Sequence, residues 1–485
     1  AWLHKKYGLS CEPTRADLSR PTFPNRFLAL LPTKGAEAAA RKAEDTVQDE
    51  WNRLGQEVYN ALKESSILPA DPRTEEQWKS QINGLLEVYW VIFSWPAQDR
   101  PHGPQQADEG KEVYKQLCAP PDAWEFERIY QTLKAGQYDP NWGTVYSLFY
   151  DLADRAFNAR KNLRTFEQAE ETGDKCTQCG QRAALRSNSR ESREFWEQIA
   201  ENLRNNGRYE IKPNGKEWLC AVCTVKRFVQ REVLKKEFGL QVGFPSTSEM
   251  ATVSFKKRVL EALKEGKSEV RQALEDFLGI AHPQLKTVAQ GAVPYLETLT
   301  QSLPKTEASL AKELLEIDGE WLHPESWTEE RLEEVWPGVR DDDIRKAQNA
   351  LRDLYQAVDA RPSKYYALLY MDGDHMGRWL SGTHKELATF GDTWHPAVRE
   401  QLANVPDWRD LASSKRVITP AVHASISQAL GRFALHLVPH IVEERHAGRL
   451  IYAGGDDVLA LVPLEEALTI ARELRAAFSL SLIHI

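Results

Sequence analysis

Hydrophobic positions along this chain change their spacing several times, and each change predicts a different element. Arg26–Leu31 (RFLALL) is a short continuous apolar run bounded by Pro24 and Pro32, which predicts a strand. Ala36–Ser66 is rich in Ala, Glu, Lys and Arg and predicts a long helix. Val88–Trp95 (VYWVIFSW) is β-branched and aromatic and is closed by Pro96, a second predicted strand. Ala97–Gly110 is polar with Pro and Gly and reads as a loop. Two or three helices follow it, ending in Val145–Arg164. From residue 224 to 360 the spacing is helical, with helices expected over Lys226–Phe238, Phe255–Leu278, Tyr295–Leu315, Glu329–Val335 and Asp342–Asp359, punctuated by Pro304, Pro324 and Pro337.

The pattern changes again after residue 360. Tyr365–Met371 (YYALLYM) is an apolar strand that runs into Asp372-Gly373-Asp374. A polar stretch, His384–Lys415, is followed by a helix from Pro420 to about Glu444. Its apolar positions Val422, Ile426, Leu430, Phe433, Leu437 and Ile441 step by four and three along one face. Leu450–Ala453 and Val458–Val462 are two strands separated only by Gly454-Gly455-Asp456-Asp457, which predicts a hairpin. A helix over Leu464–Phe478 comes last. Strand, helix, strand, strand, helix is a ferredoxin-like βαββαβ unit without its final strand.

Composition narrows the choice of function. At 485 residues, roughly three domains are expected, and 42% hydrophobic residues suffice for packed cores. The net charge of −9 means that nucleic-acid contacts would have to use local patches or partner subunits. Apolar runs such as Val88–Phe93 are too short to span a bilayer, and no leader is visible, so a cytoplasmic protein with no membrane association is expected. The six cysteines are too few for a disulfide framework, and four of them form two tight pairs.

Those pairs, Cys176-Thr-Gln-Cys179 and Cys220-Ala-Val-Cys223, each place two thiolates on one turn. Together they complete a tetrahedral four-sulfur set with no open position, which predicts a structural Zn2+ site. Cys11 and Cys118 are read as core residues. Taken alone, Gly454-Gly455-Asp456-Asp457 is as consistent with an ordinary hairpin turn as with a metal-phosphate site. In a ferredoxin-like sheet, however, the first strand neighbours the central hairpin. Asp372 would then meet Asp456 and Asp457, and three carboxylates at one spot repel one another unless Mg2+ or Mn2+ neutralises them. Gly373-Asp374-His375-Met376-Gly377 leads into helix-like Arg378–Leu380, a turn whose backbone N–H groups could cradle phosphate, with His375 read as a loop residue. The combination predicts a palm-type nucleotidyl-transfer site.

The residues that carry this chemistry also carry a resemblance. YYALLYMDGDHMGRWLSG, IYAGGDDVLALVP, the KCTQCG and CAVC pair, PNRFLALLP, CTVKRF, FPSTSEMAT at Phe244–Thr252 and TPAVHASISQALGRFA resemble the large subunit of type III CRISPR–Cas effector complexes, in its Cmr (III-B) branch, from about Pro24 to Pro463. The resemblance implies an α+β protein with two ferredoxin-like, cyclase-like palm domains and, between them, a four-cysteine zinc module and a helical domain. The divisions expected are 1–170 for a first palm, 171–230 for the zinc module, 231–360 for the helical domain and 361–485 for the second palm. It implies synthesis of cyclic oligoadenylate from ATP, triggered by target RNA paired to CRISPR RNA, within a complex of other Cmr subunits. ATP would lie between the palms. Asp372, Asp456 and Asp457 would carry the catalytic metal; Gly373, Asp374, Gly377, Gly454, Gly455 and Ser427 would be nucleotide-binding. Ser427 or His423 would touch a base, or else face solvent or pack.

The first palm has no such acidic hairpin and is expected to bind a second ATP without catalysis. No His-Asp dipeptide occurs, so cleavage of single-stranded DNA by an HD mechanism is not expected. A palm polymerase or dinucleotide cyclase, and a non-catalytic scaffold, are the competing readings. The intact Asp372 with Asp456-Asp457 speaks against the scaffold. Both ends of the chain look cut. The start lacks Met, and Leu480–Ile485 matches, residue for residue, one reading frame of a common sequencing-transposon adapter, the alternative being an apolar strand. The natural protein is expected to continue differently after about Phe478.

Overall fold

The computed structural model describes residues 20–22, 24–94, 130–134, 142–163, 171–208, 210–211, 216–240, 243–286, 292–333 and 335–483. Trp95, the loop expected over 97–110, Cys11 and Cys118 lie outside them. The chain divides into two compact units, one formed by 1–27, 242–380 and 421–485, the other by 28–241 and 381–420. No described helix is long and apolar enough to cross a membrane.

The first unit contains a three-stranded antiparallel sheet of β1 (Tyr366–Met371), β2 (Arg449–Gly454) and β3 (Asp457–Pro463), in the order β1-β3-β2. This is the arrangement that the strand-helix-hairpin order predicts: β1 and the hairpin are neighbours, with Tyr366 opposite Pro463 and Met371 opposite Val458. One face of the sheet is buried by the crossover helix and the last helix. Phe433, Leu437 and Ile441 from the crossover pack with Val458, Ala460 and Val462 of β3 and with Ile470 and Leu474. The crossover is α-helical over Pro420–Arg432 and then widens into π turns at Phe433–Leu437 and His440–Arg445. The last turn carries Glu443 inward. Only 3% exposed, Glu443 accepts from Arg449 Nη1 and Leu450 N, both at 3.1 Å, and from Arg20 Nε at 3.4 Å. Residues 20–22 lie along the free edge of β2, where Ala453 N donates to Pro21 O at 3.1 Å. The last helix, Ala467–Ile483, runs through Leu480–Leu482, so this segment is helical and not an apolar strand.

Against the other face lies part of the helical segment. Ser246 caps Thr247–Lys264 by accepting from Glu249 N at 2.9 Å, and Met250, Val253 and Leu260 of that helix pack with Tyr366, Ile451 and Leu461. Two of the expected helices are each broken into two. Phe255–Leu278 divides at Gly266, whose φ of 77° ends Thr247–Lys264 before Ser268–Leu285 begins. Tyr295–Leu315 divides at Pro304 into Pro294–Gln301 and Lys305–Glu316. Within this segment the fully buried Lys256 donates to both oxygens of Glu249 at 2.7 Å and to Ile317 O at 2.6 Å.

In the second unit, helices Ala36–Glu64, Pro72–Ile82, Ser192–Asn205 and Ala221–Val229 share one core containing Tyr59, Trp78, Phe195, Trp196 and three of the paired cysteines. Among the described residues, the strands expected at 26–31 and 88–95 are not formed. Residues 26–31 and 88–94 have no ladder partner among the described residues, and Phe27, Leu28, Leu30 and Leu31 are exposed. An apolar run becomes a strand only where a neighbour supplies the other half of each hydrogen bond. Among the described residues this unit has no sheet, and residues 381–420 group with it.

Candidate metal and nucleotide sites

The two cysteine pairs, 40 residues apart, come together in the second unit. Cys176 and Cys179 lie on a turn closed by Gly180 N donating to Cys176 O at 2.9 Å, with Gly180 at φ 66°. Cys220 precedes Ala221–Val229 and accepts from Cys223 N at 3.4 Å. The sulfur atoms of Cys176, Cys179, Cys220 and Cys223 all lie within 4.8 Å of one another, and none is in a disulfide. Cys179 Sγ and Cys220 Sγ are 3.8 Å apart. Sulfurs at the corners of a tetrahedron with ~2.3 Å metal–sulfur bonds stand about that far apart, so the set fits Zn2+. Burial pushes the Cys220 thiol up to about 11 and raises Cys223 as well. Burial would also raise Cys179, but the N–H groups of Arg182 and Gln181 and the thiols of Cys176 and Cys220 bring it down to about 6.

Behind the sulfurs stands a residue that the sequence gave no reason to single out. Gln81, 4% exposed, donates to Ala183 O at 2.8 Å and accepts from Ala221 N at 2.8 Å, so one amide ties the two cysteine turns together. Thr74 and Gln77, two turns and one turn earlier, donate to Arg186 O and Ala184 O at 2.9 Å each. A Thr and two Gln spaced by three and four on a helix are a common exposed pattern, and only the packing of Pro72–Ile82 against the cysteines turns them inward.

In the first unit, Asp372 follows β1 directly, and Asp456 and Asp457 sit at the β2–β3 turn. The hairpin loop is two residues, Gly455-Asp456, with Gly454 paired to Asp457. Gly455 takes the left-handed first position, φ 66°, which a side chain would strain. The pairing of Met371 with Val458 brings Asp372 beside the turn. Gly373 is required there: a Cβ on it would stand 2.6 Å from Asp456 Cβ. The electrostatics follow from this crowding. Burial, and then the neighbouring Asp457 and Asp372, hold the Asp456 carboxyl above the usual range; a Gly373 N–H partly relieves it. Asp457 is raised by burial and then by Asp372. Tyr370 donates to Asp457 Oδ1 at 3.5 Å. Among the described residues, the cysteines and not these aspartates have ligand atoms all within 4.8 Å. The carboxylates form an open, repelling group whose donor chemistry suits a hard divalent cation.

The remaining candidates are less uniform. Asp374 is exposed, and His375 is a loop residue at φ 59°. Gly377 is exposed in Met376–Ser381, a helix of six residues whose dipole is correspondingly small. Ser427 is exposed on Pro420–Arg432, whereas His423 is buried with Nε2 at 2.9 Å from Leu380 O, a packing role.

The chain is similar to several known proteins. Residues 365–484 match the Cas10/Cmr2 second palm domain. The chain is 26% identical over 469 residues to CRISPR system Cmr subunit Cmr2 of Pyrococcus furiosus, covering 95% of this chain and 46% of that protein. It is 45% identical over 69 residues to CRISPR system CMR subunit Cmr2 of Saccharolobus solfataricus, covering 14% of this chain and 6% of that protein. It thus spans less than half the length of these curated relatives. The type III-B Cmr-beta apo structure aligns with a TM-score of 0.44 at 18% identity, over 76% of this chain and 46% of that one. Residues 365–484 thus match the second palm domain of the Cas10/Cmr2 family, and the chain as a whole is similar to Cmr2 subunits.

Proposed function

We propose that this chain acts as the large subunit of a type III-B CRISPR effector complex and that its acidic turn joins ATP into cyclic oligoadenylate when target RNA pairs with the CRISPR RNA. The observation that carries the reading is the convergence of Asp372 with Asp456 and Asp457 inside the segment that matches a Cas10/Cmr2 palm. Asp456 and Asp457, both held above the ordinary carboxylate range by burial and by neighbouring carboxylates, are costly in an apo site and well suited to a divalent cation. When bound, Mg2+ or Mn2+ would supply Lewis acidity toward a 3′-hydroxyl and toward the leaving pyrophosphate. The chain's own part is placement. Gly373 lets the end of β1 close on Asp456, and Gly455 makes the two-residue turn that sets Asp456 and Asp457 side by side. In this reading Gly454, Gly373, Asp374, Gly377 and Ser427 border the nucleotide. Cys176, Cys179, Cys220 and Cys223 hold a structural zinc that does not take part in transfer. With a net charge of −9, guide and target RNA are contacted chiefly through the other Cmr subunits.

The test is ATP turnover by the assembled complex with Mg2+ or Mn2+, with and without target RNA, followed by mass analysis of products. Asp456→Ala with Asp457→Ala should lower cyclic product by at least about a hundredfold while RNA binding is retained. Unchanged product would refute the site. Linear products templated by added nucleic acid would show a polymerase instead.

A further inference from the structure

The sheet that carries the aspartates is covered unevenly on its second face. On β1, Ala367, Leu369 and Met371 turn into the core with the crossover helix, and Tyr366, Leu368 and Tyr370 point the other way. Tyr366 is covered by the helical segment around Met250 and Leu260. Two and four residues further on, Leu368 is 61% exposed and Tyr370 68% exposed. The exposed end is the end that meets the carboxylates.

Register extends this apolar surface across all three strands. Tyr370 stands opposite Leu459 of β3, and Leu459 stands opposite Tyr452 of β2, so the three side chains form one row on one face. Tyr452 leans over the turn: a Cβ on Gly454 would lie 2.2 Å from its hydroxyl and 2.6 Å from Cζ. Tyr370 reaches Asp457 from the other side at 3.5 Å. β1 and β2 are separated by β3, so the two tyrosines stand about 10 Å apart with Leu459 as the floor between them. The row therefore directly borders the acidic group.

We propose that Tyr370, with Leu459 and Tyr452 beside it, is the stacking surface for the base of the nucleotide whose phosphates are held at Asp372, Asp456 and Asp457 through a divalent cation; this rests on the function proposed above. A purine presents an apolar face that an exposed tyrosine ring can cover, and stacking of this kind tolerates any base. The adjoining negative charge selects the occupant. Bare polyanions are repelled from the edge of this surface, and a cation-bound nucleotide is not. Tyr370 is a binding residue in this scheme; its ring, more than its hydroxyl, carries the effect.

The experiment is calorimetric titration of the full 485-residue chain with ATP and, separately, with inorganic tripolyphosphate, both in Mg2+. Tyr370 is largely exposed, so its replacement leaves the fold intact, which thermal unfolding checks. Tyr370→Ala should weaken ATP by about tenfold or more and leave tripolyphosphate within about twofold. Tyr370→Phe should keep both ligands within about twofold, since it keeps the ring. Unchanged ATP affinity in Tyr370→Ala overturns the inference. Equal weakening of ATP and tripolyphosphate also overturns it, because Tyr370 would then act on Asp457 and not on the base. The parent reading is tested by a separate variant. If Asp456→Ala with Asp457→Ala leaves both affinities unchanged, the metal-phosphate site fails and the stacking assignment falls with it.

Discussion

The four cysteines and the three aspartates are each assembled from two short motifs far apart in sequence, and they end in opposite environments. Cys176, Cys220 and Cys223 are buried in the core of their unit, the four sulfurs are within 4.8 Å of one another, and backbone N–H groups already point at sulfur. Asp372 is exposed, Asp456 and Asp457 are partly so, and both of the latter are held above the ordinary carboxylate range by burial and then by neighbouring carboxylates, Asp372 among them. A closed soft-donor set with satisfied neighbours suits a metal that is kept and stabilises a fold. Under the proposed function, the open hard-donor set would take up a cation together with a substrate. The difference lies in what surrounds the ligands as much as in the ligands.

Metal removal should separate the two most sharply. A structural zinc contributes apparent binding free energy of about 10–16 kcal/mol, more than the stability of most domains. Chelation or Cys176→Ser should therefore collapse hydrogen-exchange protection in Ala36–Glu64 and Ser192–Asn205, which share the cysteine core, and leave the β1–β3 sheet protected. X-ray absorption of the loaded chain should show four sulfur neighbours. A metal-free chain with full protection in those helices would contradict the assignment.

The layer behind each site gives the next largest effects. Gln81→Leu keeps the volume but leaves Ala221 N without its side-chain partner and Ala183 O with only the 3.3 Å bond from Gln77, and should cost about 1–3 kcal/mol in chemical denaturation and speed zinc loss to a chelator. Gly373→Ala forces a Cβ to within 2.6 Å of Asp456 Cβ. Nucleotidyl transfer should fall by about ten- to a hundredfold with little change in the zinc core, since the displacement is confined to the turn.

The smallest effect has a sign that distinguishes the two sites. Asp456 has a folded pKa raised above its unfolded value, so the native state favours the protonated form. Its stabilising contribution is complete below the unfolded value of about 3.9 and is lost as pH rises through the folded value. At pH 7, without added divalent cation, Asp456→Asn should raise the melting temperature modestly. The gain should vanish below about pH 4, and Mg2+ should stabilise the wild type more than the variant. A drop in melting temperature at pH 7 would mean that the carboxylates are not in mutual repulsion.

Much of the palm was legible from local pattern. The step of four and three from Val422 to Ile441 put Phe433, Leu437 and Ile441 on the buried face, and only Gly454-Gly455-Asp456-Asp457 between two apolar runs left a hairpin as the simplest connection. The helical segment was legible in kind but not in its breaks. Gly266 and Pro304 each end a helix, and apolar periodicity resumed so soon after each that one long helix was predicted. The apolar runs at 26–31 and 88–94 misled, because β-propensity describes a half-buried surface and says nothing about whether a partner strand is there. The π turns of the crossover, and Glu443 at the end of the last one, had no signal in the pattern. A Glu at that position reads as an exposed charge until Arg20 and Arg449 are seen to meet it.

By itself, the sequence determined which chemical groups exist and how each short piece folds. Two CxxC turns, an apolar strand ending in Asp372, and a Gly-Gly-Asp-Asp hairpin are all fixed within a few residues, because turn geometry and side-chain alternation are local. Tertiary structure decided which of those pieces meet. Pairing of Met371 with Val458 placed Asp372 beside the hairpin, packing of Pro72–Ile82 turned Gln81 onto both cysteine turns, and partial cover of one sheet face left Tyr370 open beside the carboxylates. Those contacts depend on burial and on neighbours tens or hundreds of residues away, and such dependence has no period for a sequence to display.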